Sequence, residues 1–350
     1  MGTLKRPDQR FWAGKRVFLT GHTGFKGGWL SLWLHELGAN VAGYALAPDT
    51  DPNFFTACDV ARVLAHRLGD IRDRDALFGA MAAFAPEIVL HLAAQPLVRA
   101  SYATPVETFA TNIMGTANVL HCVAKILSVE AAVIVTSDKV YAESEGRHDE
   151  HGRLGGHDPY SASKAAAELV TAAFPMRAGQ RVATVRSGNV IGGGDWATDR
   201  LLPDFFRGIF AGECLKIRNP HAIRPWQHVL DPLCGYLLAA ETLWHGAAAL
   251  EQWNFGPDAA SEVPVSKIAE DICEKWGGEA RFEIHAPADA PHEAPVLRLN
   301  SDKARRELGW QPGWTLDQAL SATVAWFQAF RGQADMAAFT QQQIKAYCES

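Results

Sequence analysis

The segment from Arg16 to Leu37 constrains the fold more than any other. An apolar run, RVFLT, enters the turn Gly21-His22-Thr23-Gly24-Phe25-Lys26-Gly27-Gly28 and continues into a stretch of helical period. Gly21, Gly24 and Gly27 are three residues apart. Between a strand and a helix, such glycines let the chain turn tightly and bring a pyrophosphate against the helix N-terminus, where unpaired N–H groups favour an anion. An ordinary glycine-rich turn has the same pattern, and position on the first strand is what favours a dinucleotide site.

The residues that follow extend this start into a doubly wound α/β fold. Short apolar runs at Arg16–Thr20, Asn40–Ala45, His66–Leu68, Ile88–Leu92, Ala131–Thr136 and Arg181–Arg186 alternate with helical stretches at Gly27–Leu37, Arg72–Phe84, Pro105–Leu127 and Ser161–Phe174. That alternation is the signature of βαβ units and a parallel sheet. Runs such as VFLTG and IVLHLAA are apolar throughout, as suits strands covered on both faces. After Arg186 the texture changes to GGGDW at 192–196, RNP at 218–220, FGPD at 255–258 and a proline-rich stretch at 287–295, with helices expected at Val265–Trp276 and Leu316–Phe330. The expected division is therefore an N-terminal extension over 1–13, a dinucleotide-binding Rossmann-type domain over 14–186, and a smaller, mainly ligand-binding region over 187–350. That last region leaves room for strands or helices that return to the first domain.

Composition excludes several classes. The net charge is −6 and the 33 basic residues form no long run, so neither nucleic acid nor a membrane surface is an expected partner. The six cysteines lack metal-ligand spacing and read as free thiols, and no metal site is expected. Residues 1–14 carry no apolar leader-like run, and no segment reaches the roughly 18 apolar residues of a membrane span, which makes the cytoplasm the expected location.

The chemistry concentrates in two further segments. In Tyr160-Ser161-Ala162-Ser163-Lys164, positions four apart share a helical face, so the phenol and the ammonium can meet in one site. Free tyrosine titrates near pH ~10, too high for a base at neutrality; a lysine cation and a positive nicotinamide ring both favour the phenolate. Alone, these five residues equally describe a surface pair. The second segment, Thr136-Ser137-Asp138-Lys139-Val140-Tyr141, follows the fifth strand, where carboxyl ends of strands converge on a ligand crevice, although polar strand ends are often plain turns. Coincidence becomes hard to sustain once both follow the glycine turn in this order. NAD is favoured over NADP partly because no arginine stands near the end of the second strand for a 2′-phosphate. Asp49 and Asp51 come later, in loop. Asp70 and Ile71, and Leu92, Ala93 and Ala94, border adenine and ribose on one reading and are strand-end turns on the other.

In TGHTGFKGGW, HLAAQ, Asn112 in ETFATNIMGT, TSDKVY, YSASK, RSGNVIGGGD, RPWQHVLD and SDKARRELGWQP, the chain resembles the extended short-chain dehydrogenase/reductase family over residues 14 to 330. Within it, Ser-Asp-Lys together with His22 and Lys26 is similar to the CDP-glucose 4,6-dehydratase branch, where dTDP-glucose enzymes tend to have Thr-Asp-Glu. The resemblance implies that NAD lies against Gly21, Thr23, Gly24, Phe25, Lys26, Asp70, Ile71, Leu92, Ala93, Ala94 and Thr111, with Tyr160 and Lys164 at its reactive end. It implies that Tyr160 takes the proton of a hexose C4 hydroxyl held by Ser137, that Asp138 protonates the departing C6 hydroxyl, and that Lys139 removes the C5 proton. For Lys139, simple pairing with Asp138 is the competing reading. Gln95, Ser137, Asn189, Arg224, His292 and Arg298 are the expected contacts of a nucleotide sugar, Arg224 being the best candidate for its diphosphate. His228 and Trp226 fit core or fold-support roles equally. A homodimer or higher homo-oligomer, with a dimer contact through the helices at Pro105–Leu127 and Ser161–Phe174, is also implied. The alternatives are another nucleotide-sugar 4,6-dehydratase, a 4-epimerase, a simple dehydrogenase, and a binding protein that senses NAD without turnover.

Overall fold

The computed structural model describes residues 4–142, 146–246, 248–278, 280–285 and 297–350. His292 and the proline-rich stretch at 287–295 lie outside the described residues. Seven strands form one sheet: β1 (Arg16–Thr20), β2 (Asn40–Ala45), β3 (Ala65–Leu68), β4 (Ile88–His91), β5 (Ala131–Val135), β6 (Arg181–Ser187) and β7 (Leu250–Phe255). Their spatial order is β7-β6-β5-β4-β1-β2-β3, and every neighbouring pair is parallel. The order reverses between β1 and β4, and the turns leaving those two strands therefore diverge and open a crevice at the sheet's carboxyl edge.

Helices cover both faces. Against one face pack α1 (Phe25–Glu36) and, after the sixth strand, the apolar helix Leu230–Trp244, with Trp12, Trp29, Trp33, Trp326 and Tyr347 in a single buried cluster. Against the other pack Arg74–Phe84 and residues 105–125, with Phe18, Tyr44, Leu77, Met81, Val119 and Val123 buried between. Each such side chain removed from water stabilises the fold by about 1.5–3 kcal/mol before chain entropy is counted.

The helix expected at Pro105–Leu127 is broken into Pro105–Phe109, a π turn at Ala110–Met114, and Gly115–Lys125. The wide turn presents Asn112 inward. Its side chain accepts from the Gln95 N–H (2.8 Å) and donates to the Gln95 carbonyl (3.0 Å) and to Ser163 Oγ (2.9 Å). A mid-helix π turn of this kind ties the loop after β4 to the helix that carries the tyrosine.

That helix, α2 in the site described below, runs Pro159–Ala173, two residues earlier than its apolar period suggests. Asp158 caps it by accepting from Ser161 N (2.9 Å), and Pro159 sits at the first helical position, where a missing N–H costs nothing. β7 escapes a reading by apolar runs because Glu251 and Gln252 stand in it, Glu251 being paired with Lys303 at 2.7 Å. No helix among the described residues is long and apolar enough to cross a membrane.

Candidate active site

The crevice at the carboxyl edge is a cleft of about 630 Å³ running from the glycine turn to the pieces that follow β6. Its first half is shaped by backbone. Gly21 has φ +82°, and a Cβ there would stand 2.7 Å from Ala93 N; a Cβ on Gly27 would stand 2.1 Å from Gly21 O. Main chain touches main chain at these two positions, and only glycine permits it. Gly24 differs, since a Cβ there would find only ordinary contact with Gly21 O at 3.5 Å. Gly24 is also the N-cap of α1 and supplies no side-chain cap, so the first N–H groups of α1 face open space above a glycine. That cradle fits a pyrophosphate.

Thr23, Phe25, Asp70, Ile71, Leu92, Ala93, Ala94 and Thr111 all line this half. Asp49 lines it too, while the Asp70 carboxylate is held by Arg72 at 2.6 Å, which keeps it below the usual carboxylate range. Thr20 Oγ1 accepts from Leu92 N and Ala93 N and meets His91 Nδ1 at 2.7 Å. Burial, aided by the Lys164 charge, pushes His91 down to about 3, so this imidazole is neutral. Lys26 lines the cleft but leads away from the cradle: its amine donates to Ser187 Oγ (3.0 Å) and Tyr236 OH (3.4 Å). Burial and the neighbouring Arg200 and Lys164 charges lower it to about 7.

At the centre of the cleft, α2 brings Tyr160 and Lys164 onto one face, both buried. The Tyr160 N–H donates to Ser101 Oγ (3.1 Å) and its hydroxyl is hydrogen-bonded with Ser137. The Lys164 ammonium donates to the Val135 carbonyl at 3.0 Å, the last residue of β5. Burial pushes Lys164 down to about 8, with Glu168 opposing. The expectation that Lys164 lowers Tyr160 needs correction for the protein alone. Burial dominates and pushes the phenol up to about 12, with the Ser137 hydrogen bond pulling the other way.

Ser137, Asp138 and Lys139 face this pair from the turn after β5. Ser137 Oγ donates to Asp138 Oδ1 (3.0 Å) and accepts from Lys139 N (3.2 Å). Asp138 is buried and its Oδ2 has no hydrogen-bond partner among the described residues. Lys139 is half-buried and its amine makes no ion pair or hydrogen bond with a described residue, so the simple Lys139–Asp138 pairing is not what forms.

The far half of the cleft is side-chain built. Asn189 and the buried Arg224 line it, Arg224 donating to the Ile223 carbonyl at 3.0 Å. Gln95 does not. Its amide is consumed by Thr108 Oγ1 (2.9 Å) and by the Leu97 N–H (2.5 Å), which makes it a brace of the loop after β4. Arg298 also points elsewhere, to Glu262 at 3.1 Å. Sequence reading missed Arg200, which reaches the cleft from the loop after GGGDW. Arg200 pairs with Asp195 at 2.9 Å, and the fields of Arg200 and Tyr160 act on one another. It also missed Asp199, which bridges Arg99 (3.5 Å) and Arg218 (3.1 Å) across the mouth. Only the GGGDW loop itself was visible beforehand. Trp226 and His228 are buried supports: Trp226 Nε1 donates to the Val263 carbonyl (3.2 Å), and His228 packs against Trp314.

The sequence pattern of the GDP-mannose 4,6 dehydratase family matches residues 18–323. The CDP-glucose 4,6-dehydratase of Salmonella typhimurium is 46% identical over 352 residues, covering 97% of this chain and 98% of that one. Among solved structures, the dTDP-glucose 4,6-dehydratase of Streptomyces venezuelae with NAD and TYD bound is similar with a TM-score of 0.77. It is 25% identical and covers 91% of this chain and 99% of its own. A UDP-glucose 4-epimerase of Stenotrophomonas maltophila with bound NAD superposes with a TM-score of 0.79 at 22% identity, covering 91% and 100% of the two chains, and so shares the fold.

Proposed function

Because the chain belongs to the GDP-mannose 4,6 dehydratase family, within the extended short-chain dehydrogenases/reductases, we propose that it is an NAD-dependent hydro-lyase that converts CDP-glucose to CDP-4-keto-6-deoxyglucose and water. The observation that carries this reading is the juxtaposition, in one cleft, of the buried Tyr160–Lys164 pair with a Ser137–Asp138–Lys139 turn whose acid and amine are uncommitted. A 4-epimerase needs only the first. The cytidine nucleotide is supported by the 46% identical relative.

Gly21, Gly24 and the N-terminus of α1 would hold the cofactor's pyrophosphate, and Asp70, Ile71, Leu92, Ala93, Ala94 and Thr111, which line the same half of the cleft, would border the rest of it. NAD, when bound, would supply the acceptor for the C4 hydride and the donor for C6, and its positive ring would favour the phenolate. Ser137 orients the C4 hydroxyl and Tyr160 removes its proton. The Lys164 ammonium steadies the phenolate that this chemistry requires. Once C4 is a ketone, the C5 hydrogen is acidic. Lys139, whose amine has no other acceptor among the described residues, takes that proton and returns it to C5 once C6 is reduced, while Asp138, in its protonated form, delivers one to the departing C6 hydroxyl. Both protons move over side chains that the fold leaves open. Arg224 and Arg200 hold the diphosphate, with Asn189 beside it.

Incubation with CDP-, dTDP- and UDP-glucose, followed by mass spectrometry, tests this. The expected product is 18 Da lighter than CDP-glucose, roughly the mass of one water, with net cofactor turnover absent. An isomer of unchanged mass makes the chain an epimerase, and no change with any hexose makes it a binding protein. Exposed Tyr102, Val106, Phe109, Met114 and Leu169 lie on and beside residues 105–125 and α2, and they support a homodimer through these helices. A monomer by sedimentation at micromolar concentration rules that out. Six unpaired thiols support a reducing, cytoplasmic setting.

A further inference from the structure

Behind the cleft lies a buried ion pair that the mechanism above does not use. Glu168 stands one turn beyond Lys164 on α2, and each of its oxygens accepts twice. Oε1 takes Thr136 Oγ1 (2.5 Å) and Arg186 Nε (2.8 Å); Oε2 takes Thr184 Oγ1 (2.5 Å) and Arg186 Nη2 (2.8 Å). Arg186, at the end of β6, spends its remaining nitrogen on Tyr141 OH (2.7 Å) and the Glu150 carbonyl (3.2 Å). The Tyr141 hydroxyl in turn donates to Asn254 Oδ1 at 2.8 Å. Glu168 and Arg186 are both all but inaccessible to solvent.

The two ends of this network fall on either side of one short segment. Thr136 immediately precedes Ser137, and Tyr141 comes two residues after Lys139. One carboxylate and one guanidinium thus pin both flanks of the turn that carries the elimination groups, and the carboxylate belongs to the helix that carries the oxidation groups. A buried pair needs good geometry to offset desolvation, and here every acceptor site of the acid is filled.

We infer that Glu168 and Arg186 are positioning residues that fix the Ser137–Lys139 turn against Tyr160 and Lys164 and hold the Lys164 charge in place, so that oxidation at C4 and elimination across C5 and C6 share one substrate pose. This rests on the dehydratase reading of the site. The Lys164 ammonium donates to the Val135 carbonyl, and the titratable groups whose charges couple to it are Glu168 on its own helix, His91 from β4 and Lys26 from α1. His91 is neutral and Lys26, whenever protonated, carries the same sign, which leaves Glu168 as the anion that sustains Lys164 against burial.

Glu168→Gln keeps the shape and removes the charge. Lys164, followed by carbon-13 NMR of lysine-labelled protein without cofactor and assigned by the signal lost in Lys164→Met, should titrate at least ~0.5 unit lower in Glu168→Gln than in the parent. In the complete enzyme, kcat should fall about tenfold with KM nearly unchanged, and the alkaline fall in rate should begin at lower pH. Thr136→Val and Thr184→Val each remove one hydrogen bond to the same carboxylate. Only Thr136→Val should release C4-oxidised, still hydrated sugar, detected by acid quench and mass spectrometry, because only Thr136 adjoins the elimination turn.

An unmoved Lys164 titration in folded Glu168→Gln overturns the electrostatic half of the inference, and identical product partition in the two threonine variants overturns the positioning half. If Glu168→Gln does not fold, the threonine pair still decides. A chain that turns over no nucleotide hexose defeats the dehydratase reading instead, and the lysine titration remains a separate readout.

Discussion

The two sets of reacting side chains in this cleft are held in opposite ways. Tyr160 and Lys164 are embedded: the tyrosine's N–H is taken by Ser101, its hydroxyl is hydrogen-bonded with Ser137, and the lysine donates to the Val135 carbonyl. Asp138 and Lys139 are positioned but unfinished, one with an orphaned buried oxygen and the other with an amine that has no partner among the described residues. Buried polar atoms are nearly always paired in folded proteins, so an orphan inside a cleft marks a place where a ligand completes the structure. The difference separates a pair whose charge state the fold sets from a pair whose protons are free to move onto substrate.

Breaking the embedded pair should produce the largest effect. Tyr160→Phe leaves packing intact but removes the base, and turnover should fall about 1000-fold, within the range general-base removal commonly costs. Acid-quenched single turnovers should contain unreacted nucleotide sugar and no C4-oxidised sugar. Lys139→Met attacks the unfinished pair and should cost about 100-fold. Here C4-oxidised sugar should accumulate, and uptake of solvent deuterium at C5 should cease. Undiminished C5 exchange in Lys139→Met would place the base elsewhere and erase the proposed division between the two pairs.

Both pairs were legible because each is encoded locally. A Tyr and a Lys four apart on a helix share a face whatever the tertiary structure, and a polar cluster after the fifth strand of a doubly wound sheet must lie at its carboxyl edge. The central strands were legible for the same reason, being apolar throughout, whereas β7, with Glu251 and Gln252 within it, was not. What escaped was long-range pairing. Nothing near Gln95 shows that Thr108 and Asn112 will claim it, and nothing near Arg298 shows that Glu262 will. The frame of Thr136, Glu168, Thr184 and Arg186 joins three segments, and the upward shift of Tyr160 depends on how deeply the fold buries it. Sequence spacing carries neither partner choice nor depth.

The smallest expected effect sharpens the comparison from the side of stability. An orphaned buried carboxylate oxygen costs the fold something on the order of 1–3 kcal/mol in lost hydration, and Asp138 Oδ2 is such an atom. Asp138→Asn keeps the acceptor that receives the Ser137 hydroxyl and replaces a carboxylate by a neutral amide, for which burial is less costly. The variant should therefore melt higher, by about 1 kcal/mol or some 2 °C for a chain of this size, while losing the group that protonates the leaving hydroxyl. Tyr160→Phe should show no such gain, because the phenol it removes already has a partner in Ser137. Calorimetry of the two variants side by side, without ligands, separates the cases. A melting temperature that falls in Asp138→Asn would mean that the fold itself holds this carboxylate, and the contrast between an embedded and an unfinished pair would fail at Asp138.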